Sequence, residues 1–275
     1  MSEAEERDDQ RFPSSVRVFL QRLYRDPRYV LIGKVERYGQ DRIAFIEACA
    51  MLSAAGEVRG QALMNDEYFL DGRPDGERPF GEDSLLDHYL SVSGEGKRHL
   101  DEDDLMVLRE ESWQHYVRRN FHIQLRDYAR ARDDAEHNLG LIGLVEQSDT
   151  AEEAKWSMLK WWPWIERDRA IAQALWHLQH GERERAAAEL YRSVRAVEQF
   201  ARRHAEEYAQ EEQEGESLCA GMRQHLQSLI ELLRREERMP VSVEEQLDEA
   251  LARGDREEAE RLRAEMIRKA MEEGE

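Results

Sequence analysis

Histidines and carboxylates at helical spacing are the residues of this chain that could do metal chemistry. Three pairs would each share one helix face: Glu111 with His115, Asp134 with His137, and His177 with His180. Helical di-iron proteins need paired Glu and Glu-x-x-His ligands that project into a bundle, and that repeat is absent. The sequence therefore predicts neither a metal site nor a cofactor, and we expect surface or helix-end histidines, such as His180 before Gly181.

A cluster of tryptophans forms the second candidate site. Five of them surround Pro163 and continue along the next turns: Trp156, Trp161, Trp162, Trp164 and Trp176. Each Trp buries roughly 150–250 Å², so we expect this region to form the densest part of the core. The alternative is an aromatic ligand pocket, which would make the chain a helical enzyme or a small-ligand-binding protein.

No catalytic signature is present. The chain lacks a P-loop, a dinucleotide-binding GxGxxG, a GxSxG nucleophile elbow and an HExxH zinc motif. Its two cysteines, Cys49 and Cys219, are far apart and form no CxxC, so they predict buried, reduced thiols. These absences favour a non-enzymatic protein, although an active site assembled from dispersed residues stays open.

The balance of charged residues indicates which kinds of partner the chain can bind. The chain carries 40 Lys and Arg against 60 Asp and Glu, a formal net charge of −20. Its basic residues form only short pairs such as Arg118-Arg119, so direct binding to a phosphate backbone is disfavoured. No run approaches the ~20 apolar residues of a membrane span, and the acidic start does not look like a secretory signal. We therefore expect a cytoplasmic protein without a membrane partner.

Scarcity of helix breakers predicts the fold class. The chain has only 16 Gly and 6 Pro, and neither residue occurs in 97–139 or 182–214. Such runs are typical of long helices. We predict an all-α fold, an irregular helical bundle with αα-hairpins and a C-terminal helical hairpin.

Composition predicts four segments. We expect a disordered tail at 1–11, an N-terminal helical subdomain with a polar loop at 12–96, a helical bundle with αα-hairpins at 97–239, and a separate hairpin at 240–275. Within the second segment, Ile43, Ile46, Ala50 and Ala54 keep helical spacing, which predicts a helix over 40–54.

Two stretches within 121–205 resemble tetratricopeptide-type helical hairpins. They are HIQLRDYARARDDAEHNL and QALWHLQHGERERAAAELYRSV. Their turns, near Asp127 and Gly181, lie 54 residues apart, whereas that repeat has a period of about 34. A regular array is therefore not predicted.

The C-terminal segment has the clearest local signals. Ser242 and Glu245 form a capping box, and Gly254-Asp255 marks a turn between two apolar stripes. A hairpin of about 30 residues is too small for a core of its own, so it must dock on this chain, on a second copy or on another protein. Its expected contact residues are Leu247, Leu251, Ala259, Leu262, Arg263 and Met266.

This hairpin, residues 244–269, resembles the UVR domain, also called the UvrB/UvrC motif. Asp255, Glu257, Ala259, Leu262 and Arg263 match the family pattern. The alternative is a generic charged αα-hairpin.

The resemblance implies binding to another protein through this hairpin in a bacterial cytosol, with roles in DNA repair or protein quality control, and it implies no catalytic residue. We therefore expect a non-enzymatic interaction or scaffold protein, with a homo-oligomer as a further outcome.

Overall fold

The computed structural model describes residues 14–26, 28–52, 58–92, 99–211, 218–238 and 240–273. Helices make up most of these residues, which confirms the predicted mostly helical class. The chain forms two compact units, and we call Leu20–Ile165 the sheet unit and Met1–Phe19 with Glu166–Glu275 the hairpin unit. The predicted tail at 1–11 lies outside the described residues.

An antiparallel three-stranded sheet opens the sheet unit. After helix α1 (Ser14–Tyr24), strands β1 (Tyr29–Arg37), β2 (Gln40–Leu52) and β3 (Val58–Phe69) pair in the order β1-β2-β3. The helix predicted over 40–54, and with it the all-helical character of 12–96, is therefore wrong.

The error has a physical explanation in the first hairpin. Tyr38 and Gly39 both have positive φ values, 56° and 73°, as a two-residue hairpin turn between twisted strands requires. Ile43 and Phe45, two residues apart, are both buried on one face of the sheet. This period of two is the pattern of a strand, although other apolar residues of β2 also fit a helical period.

Aromatic side chains join the sheet to a long helix, α3 (Glu102–Gln124). Phe121 of α3 is fully buried, with its ring centroid 4.7 Å from that of Tyr29 and 4.8 Å from that of Phe45. Such edge and tilted contacts stabilise a pair by about 0.5–1.5 kcal/mol beyond area burial. The sheet thus covers one face of α3 and fixes its position.

The remaining helices of the sheet unit are α2 (Leu85–Ser91), α4 (Tyr128–Gln147), α5 (Glu152–Leu159) and the first residues of α6 (Trp162–Gln179). They enclose an apolar core that includes Leu105, Leu108, Leu141 and Ile142.

Two helix starts show when a capping signal in the sequence forms a cap in the structure and when it does not. The acidic residues at 101–104 predict a helix start there, and Asp101 caps α3 in a capping box with Asp104. Thr150 does not cap α5, because its hydroxyl bonds to the backbone of Leu100 instead.

The hairpin unit is helical throughout its described residues. Beyond α6 it contains α7 (Arg183–Arg203), α8 (Ala205–Glu211), α9 (Leu218–Glu237), α10 (Val243–Arg253) and α11 (Arg256–Glu273). Gly181 has a φ of 78° in the turn between α6 and α7, which confirms the predicted turn there.

The terminal hairpin, α10 and α11, follows its sequence signals closely. The Ser242 hydroxyl accepts a hydrogen bond from the backbone N–H of Glu245, and Gly254 closes α10 in the left-handed conformation. Ala250, Ala259 and Leu262 are buried in a small shared core. The Tyr191 hydroxyl of α7 donates to Asp248 at 2.8 Å, so the hairpin docks on its own chain.

Candidate ligand pocket and buried histidine cluster

A pocket of about 430 Å³ lies among α3, α4, α5 and the start of α6, within the sheet unit. Its lining is mostly apolar and aromatic, as is usual for small-molecule sites. The lining residues are Arg28, Arg109, Ser112, Trp113, Tyr116, Asn138, Ile142, Ser157, Met158, Trp161, Trp164 and Ile165.

Flat aromatic surfaces form much of the wall. Trp113 and Tyr116 lie one turn apart on α3, and their rings stack with centroids 5.3 Å apart. Trp161 stands between α5 and α6 and is 48% exposed, although a Trp is highly buried on average. The wall therefore presents π faces that a planar molecule could stack against.

Asn138 of α4 is a buried polar residue of the lining whose amide lacks a partner among the described residues. Its side chain is 0% exposed, and neither its amide nitrogen nor its oxygen has a hydrogen bond within the described part of the chain. A buried polar group left unsatisfied costs about 1–3 kcal/mol. The amide thus has hydrogen-bonding capacity that no described group of the protein uses.

The charged members of the lining are already paired. Arg28 contacts Asp26 at 2.6 Å, and Arg109 contacts Glu102 at 2.7 Å. The pocket therefore offers no fixed excess of charge to an anion or a cation, and its chemistry suits a neutral molecule.

The structure divides the predicted tryptophan cluster. Trp161 and Trp164 line the pocket, whereas Trp156 and Trp162 pack against the apolar core, as the core-packing interpretation expects. Trp176 belongs to the hairpin unit, where its ring lies 4.1 Å from that of His180.

Trp113 and Asn138 are pocket residues that the sequence did not predict. Tyr116 lies three turns after the buried Leu105 on the same side of α3, so the sequence offered no signal that separates these pocket residues from the core. Asn138 lies in the interior of α4, where asparagine is unfavourable for helix formation. No neighbouring residue in the sequence indicated a role for it.

A second polar site lies where α3 and α4 pack together. It contains both histidine pairs that the sequence placed on these helices: Glu111 with His115, and Asp134 with His137. The surface location expected for them is wrong, since Glu111, His115 and Asp134 are buried. The sequence showed each pair but not that their two faces meet.

An ion pair organises one side of this cluster. The Arg118 guanidinium donates to both oxygens of Asp134, at 2.6 and 3.0 Å, and also to the carbonyl of Phe69. Burial opposes ionisation of Asp134, but Arg118 and the hydrogen bond from His115 hold the pKa of its carboxyl well below the ordinary value. Asp134 is therefore a fixed anion.

Asp134 in turn orients His115. The His115 Nδ1 lies 2.8 Å from Asp134 Oδ1, so this nitrogen carries the proton that Asp134 accepts. Burial lowers the pKa of the His115 imidazole to about 4. His115 is therefore neutral at pH 7, with its lone pair on Nε2.

Glu111 anchors the other side. Its Oε2 accepts the backbone N–H of Leu85 at 2.9 Å and lies 3.4 Å from an Arg73 nitrogen, while its Oε1 lies 2.9 Å from His137 Nε2. Burial raises the pKa of the Glu111 carboxyl, but the hydrogen bonds from His137 and Leu85 outweigh it and leave the pKa below its usual value.

His122 extends the cluster along α3. It is fully buried, and neither ring nitrogen has a hydrogen-bond partner in the described segments. Its Nε2 lies 3.8 Å from Asp134, and burial lowers the pKa of its imidazole to about 4. His122 is thus held neutral in the interior.

The other predicted features are simpler. His180 follows the last residue of α6, and its Nδ1 lies 2.7 Å from the Trp176 carbonyl, a helix-end arrangement. Cys219 is buried, as predicted, and the side chain of Cys49 lies outside the described residues.

The expected partner-binding residues of the hairpin separate into two groups. Ala259 and Leu262 are buried in the hairpin's own core, and Leu247 packs against them. Leu251 and Arg263 are exposed, and Met266 is partly buried. Only the exposed group could contact a partner without rearrangement.

No family model matches the chain, and no curated protein and no solved structure is significantly similar to it. The resemblance of the hairpin to the UVR domain therefore stays a prediction. Within the described segments, no helix is long and apolar enough to cross a membrane.

Proposed function

We propose that this protein binds a small, neutral, largely aromatic molecule in the pocket of its sheet unit. The single observation that carries the proposal is Asn138, a fully buried amide in the lining of an aromatic pocket with no hydrogen-bond partner among the described residues. An unsatisfied buried amide lowers the free energy of unfolding, and packing alone does not explain that loss. A ligand that contacts the amide would relieve that cost.

The size of the pocket supports the same function. Ligand pockets are typically about 300–1,000 Å³, and this one, at about 430 Å³, suits a molecule of two or three fused rings. Stacking on Trp113 and Trp161 would supply most of the binding free energy, and Asn138 would supply orientation.

An uncharged two-ring probe tests this function. We expect isothermal titration calorimetry of the full chain with 2-naphthol to show one site with a Kd tighter than about 1 mM. Ser112→Phe fills the pocket from α3 and should weaken binding by more than tenfold.

Ser91→Phe is the matched control, because Ser91 is an exposed residue of α2 outside the lining. Equal binding by wild type and Ser112→Phe, or no binding at all, would contradict the proposal.

Association with another protein through the terminal hairpin is the second candidate function, and the UVR resemblance motivates it. The supporting observation is exposed apolar surface: Leu251 is 46%, Ile267 63% and Met271 70% exposed. Ile267 and Met271 lie one turn apart on α11, so their exposed side chains are neighbours and not isolated apolar residues.

A double variant tests this second candidate. We expect Leu251→Glu with Ile267→Glu to lose a partner that copurifies with the wild-type chain from its native cell, or to lose self-association in sedimentation. Met106→Glu, at an exposed apolar residue of α3, is the matched control. Identical partners and identical mass for all three proteins would rule the candidate out.

A further inference from the structure

The histidine cluster of the sheet unit has the donor set of a transition-metal site. One ligand atom each from Glu111, His115 and His137 lies within 4.8 Å of the other two. Glu111 and His115 come from α3 and His137 from α4. Two imidazoles and one carboxylate are a recurring set for zinc and non-haem iron.

His115 is already prepared as a ligand. Its Nδ1 is fixed by Asp134 at 2.8 Å, and its buried Nε2 has no hydrogen-bond partner anywhere in the described chain. A carboxylate behind the far nitrogen of a histidine is the usual arrangement around metal-binding imidazoles, because it sets the tautomer and the ring orientation. An unpartnered buried nitrogen without such a purpose would be a pure cost.

Glu111 is held so that one oxygen remains for a cation. Leu85 and Arg73 occupy Oε2, and the ligand-facing Oε1 contacts His137 Nε2 at 2.9 Å and the backbone N–H of Leu86 at 3.4 Å. An ion would displace the proton that His137 and Glu111 share. Coordination by Glu111 is therefore through a single oxygen.

We infer that Glu111, His115 and His137 bind one divalent first-row transition-metal ion. The rings of His115 and His137 stack with centroids 3.9 Å apart and an interplanar angle of 17°. The two stacked imidazoles thus lie side by side, and their ligand atoms and that of Glu111 are within 4.8 Å of one another. His137 is the more exposed of the two, at 17% against 5% of its side chain, so it is the ring that can adjust its position to the ion.

The surrounding charges select the kind of ion. Asp134 is balanced by Arg118, and Glu111 by Arg73, so the cluster has no excess negative charge. Mg²⁺ and Ca²⁺ depend on several charged oxygens and should bind poorly. Zn²⁺, Co²⁺ and Fe²⁺ gain from the two imidazole ligands and should bind well.

Cobalt absorption tests the site directly on the full chain. After chelation and dialysis, we expect Co²⁺ to give visible d–d absorption that saturates at one ion per chain and that Zn²⁺ displaces. His137→Gln should weaken Co²⁺ binding by more than tenfold, since loss of even an outer-shell partner costs about 10–100-fold. His177→Gln removes a helix-end histidine of the hairpin unit and should bind like wild type.

The variants also separate binding from folding. His137 is partly exposed, so His137→Gln should keep the wild-type far-UV circular dichroism; His115→Gln is the second ligand variant and should behave alike. The absence of saturable Co²⁺ absorption in the wild-type chain would overturn the site. So would Co²⁺ binding that Mg²⁺ displaces equally well, or that survives in His137→Gln.

Discussion

The two units differ in the hydrogen-bond and ion-pair partners of their buried polar groups. In the hairpin unit, Arg169 lies 2.7 Å from both Glu166 and Glu189, and Arg192 lies 3.3 Å from Glu189, so each buried carboxylate has a cationic partner. In the sheet unit, Asn138 and His122 are at least as deeply buried but have no hydrogen-bond partner among the described residues.

This difference indicates where binding is expected. Satisfied ion pairs hold a structure together, whereas each unsatisfied buried polar group costs about 1–3 kcal/mol. A unit with several unsatisfied polar groups beside an aromatic pocket can form further hydrogen bonds with a ligand. The ligand pocket proposed above accordingly belongs to the sheet unit.

Breaking the ion pairs of the hairpin unit should have the largest effect. Arg169→Met leaves Glu166 and Glu189 buried without their shared cation, and removal of one partner of a buried pair costs about 3–5 kcal/mol. Chemical denaturation would measure the loss. Arg261→Met, at an exposed pair with Glu258, should leave the unfolding midpoint unchanged. Equal effects of the two variants would break the comparison.

The buried His122 should make the stability of the sheet unit depend on pH. Its pKa is about 4 in the folded chain because of burial, against about 6.5 when unfolded. Between these values the unfolded state binds the extra proton, so stability falls as the pH drops from 6.5 toward 4, by a few kcal/mol.

The variant His122→Phe should reduce this slope in urea titrations from pH 7 to 4.5, and the part due to His115, whose pKa is also about 4, should remain. The other charged groups that face His122, namely Asp134, Arg118, Asp127 and Lys34, remain in both proteins. A slope that is equally steep in the variant would contradict this origin.

Replacing the unpartnered amide of the pocket should stabilise the chain. Asn138→Leu removes a buried unsatisfied group at similar volume, which should raise the free energy of unfolding by about 1–2 kcal/mol. The same change should weaken 2-naphthol binding. Asn120→Leu, on α3 outside the lining, is the control. Destabilisation by Asn138→Leu would show that the amide has a structural partner.

The smallest effect is expected at the turn of the terminal hairpin. Gly254 has a φ of 72°, and the space that a side chain would enter there is open, so Gly254→Ala suffers only backbone strain of about 1 kcal/mol. Thermal unfolding should detect a small drop, and Gly221→Ala, inside α9, should give none or a gain. A large drop would mean that the turn does more than close the hairpin.

Local signals made part of this fold predictable. The acidic start at Asp101, the turn at Gly181 and the cap at Ser242 were each readable because a few neighbouring residues decide them. Strand β2 was not, because its apolar residues fit a helix period as well as a strand period, and only pairing with β1 and β3 decides between them.

The candidate sites could not be predicted from local signals, because they form only when residues distant in the sequence pack together. The sequence placed Glu111 with His115 and Asp134 with His137 on two helices, yet only the packing of α3 against α4 brings the pairs together. It likewise named Trp161 and Trp164, whereas Trp113 joins them from a helix that precedes them in the chain. Such convergence has no local signature in a single sequence.

The most direct test of ligand binding by the sheet unit observes Asn138 itself. In a ¹⁵N-labelled chain, the side-chain amide signals of Asn138 are identified by their loss in Asn138→Leu. Addition of 2-naphthol should shift these signals and the indole N–H signals of Trp113 and Trp161, and leave that of Trp176 unchanged. Unmoved Asn138 signals at saturating probe, or shifts confined to Trp176, would contradict the account.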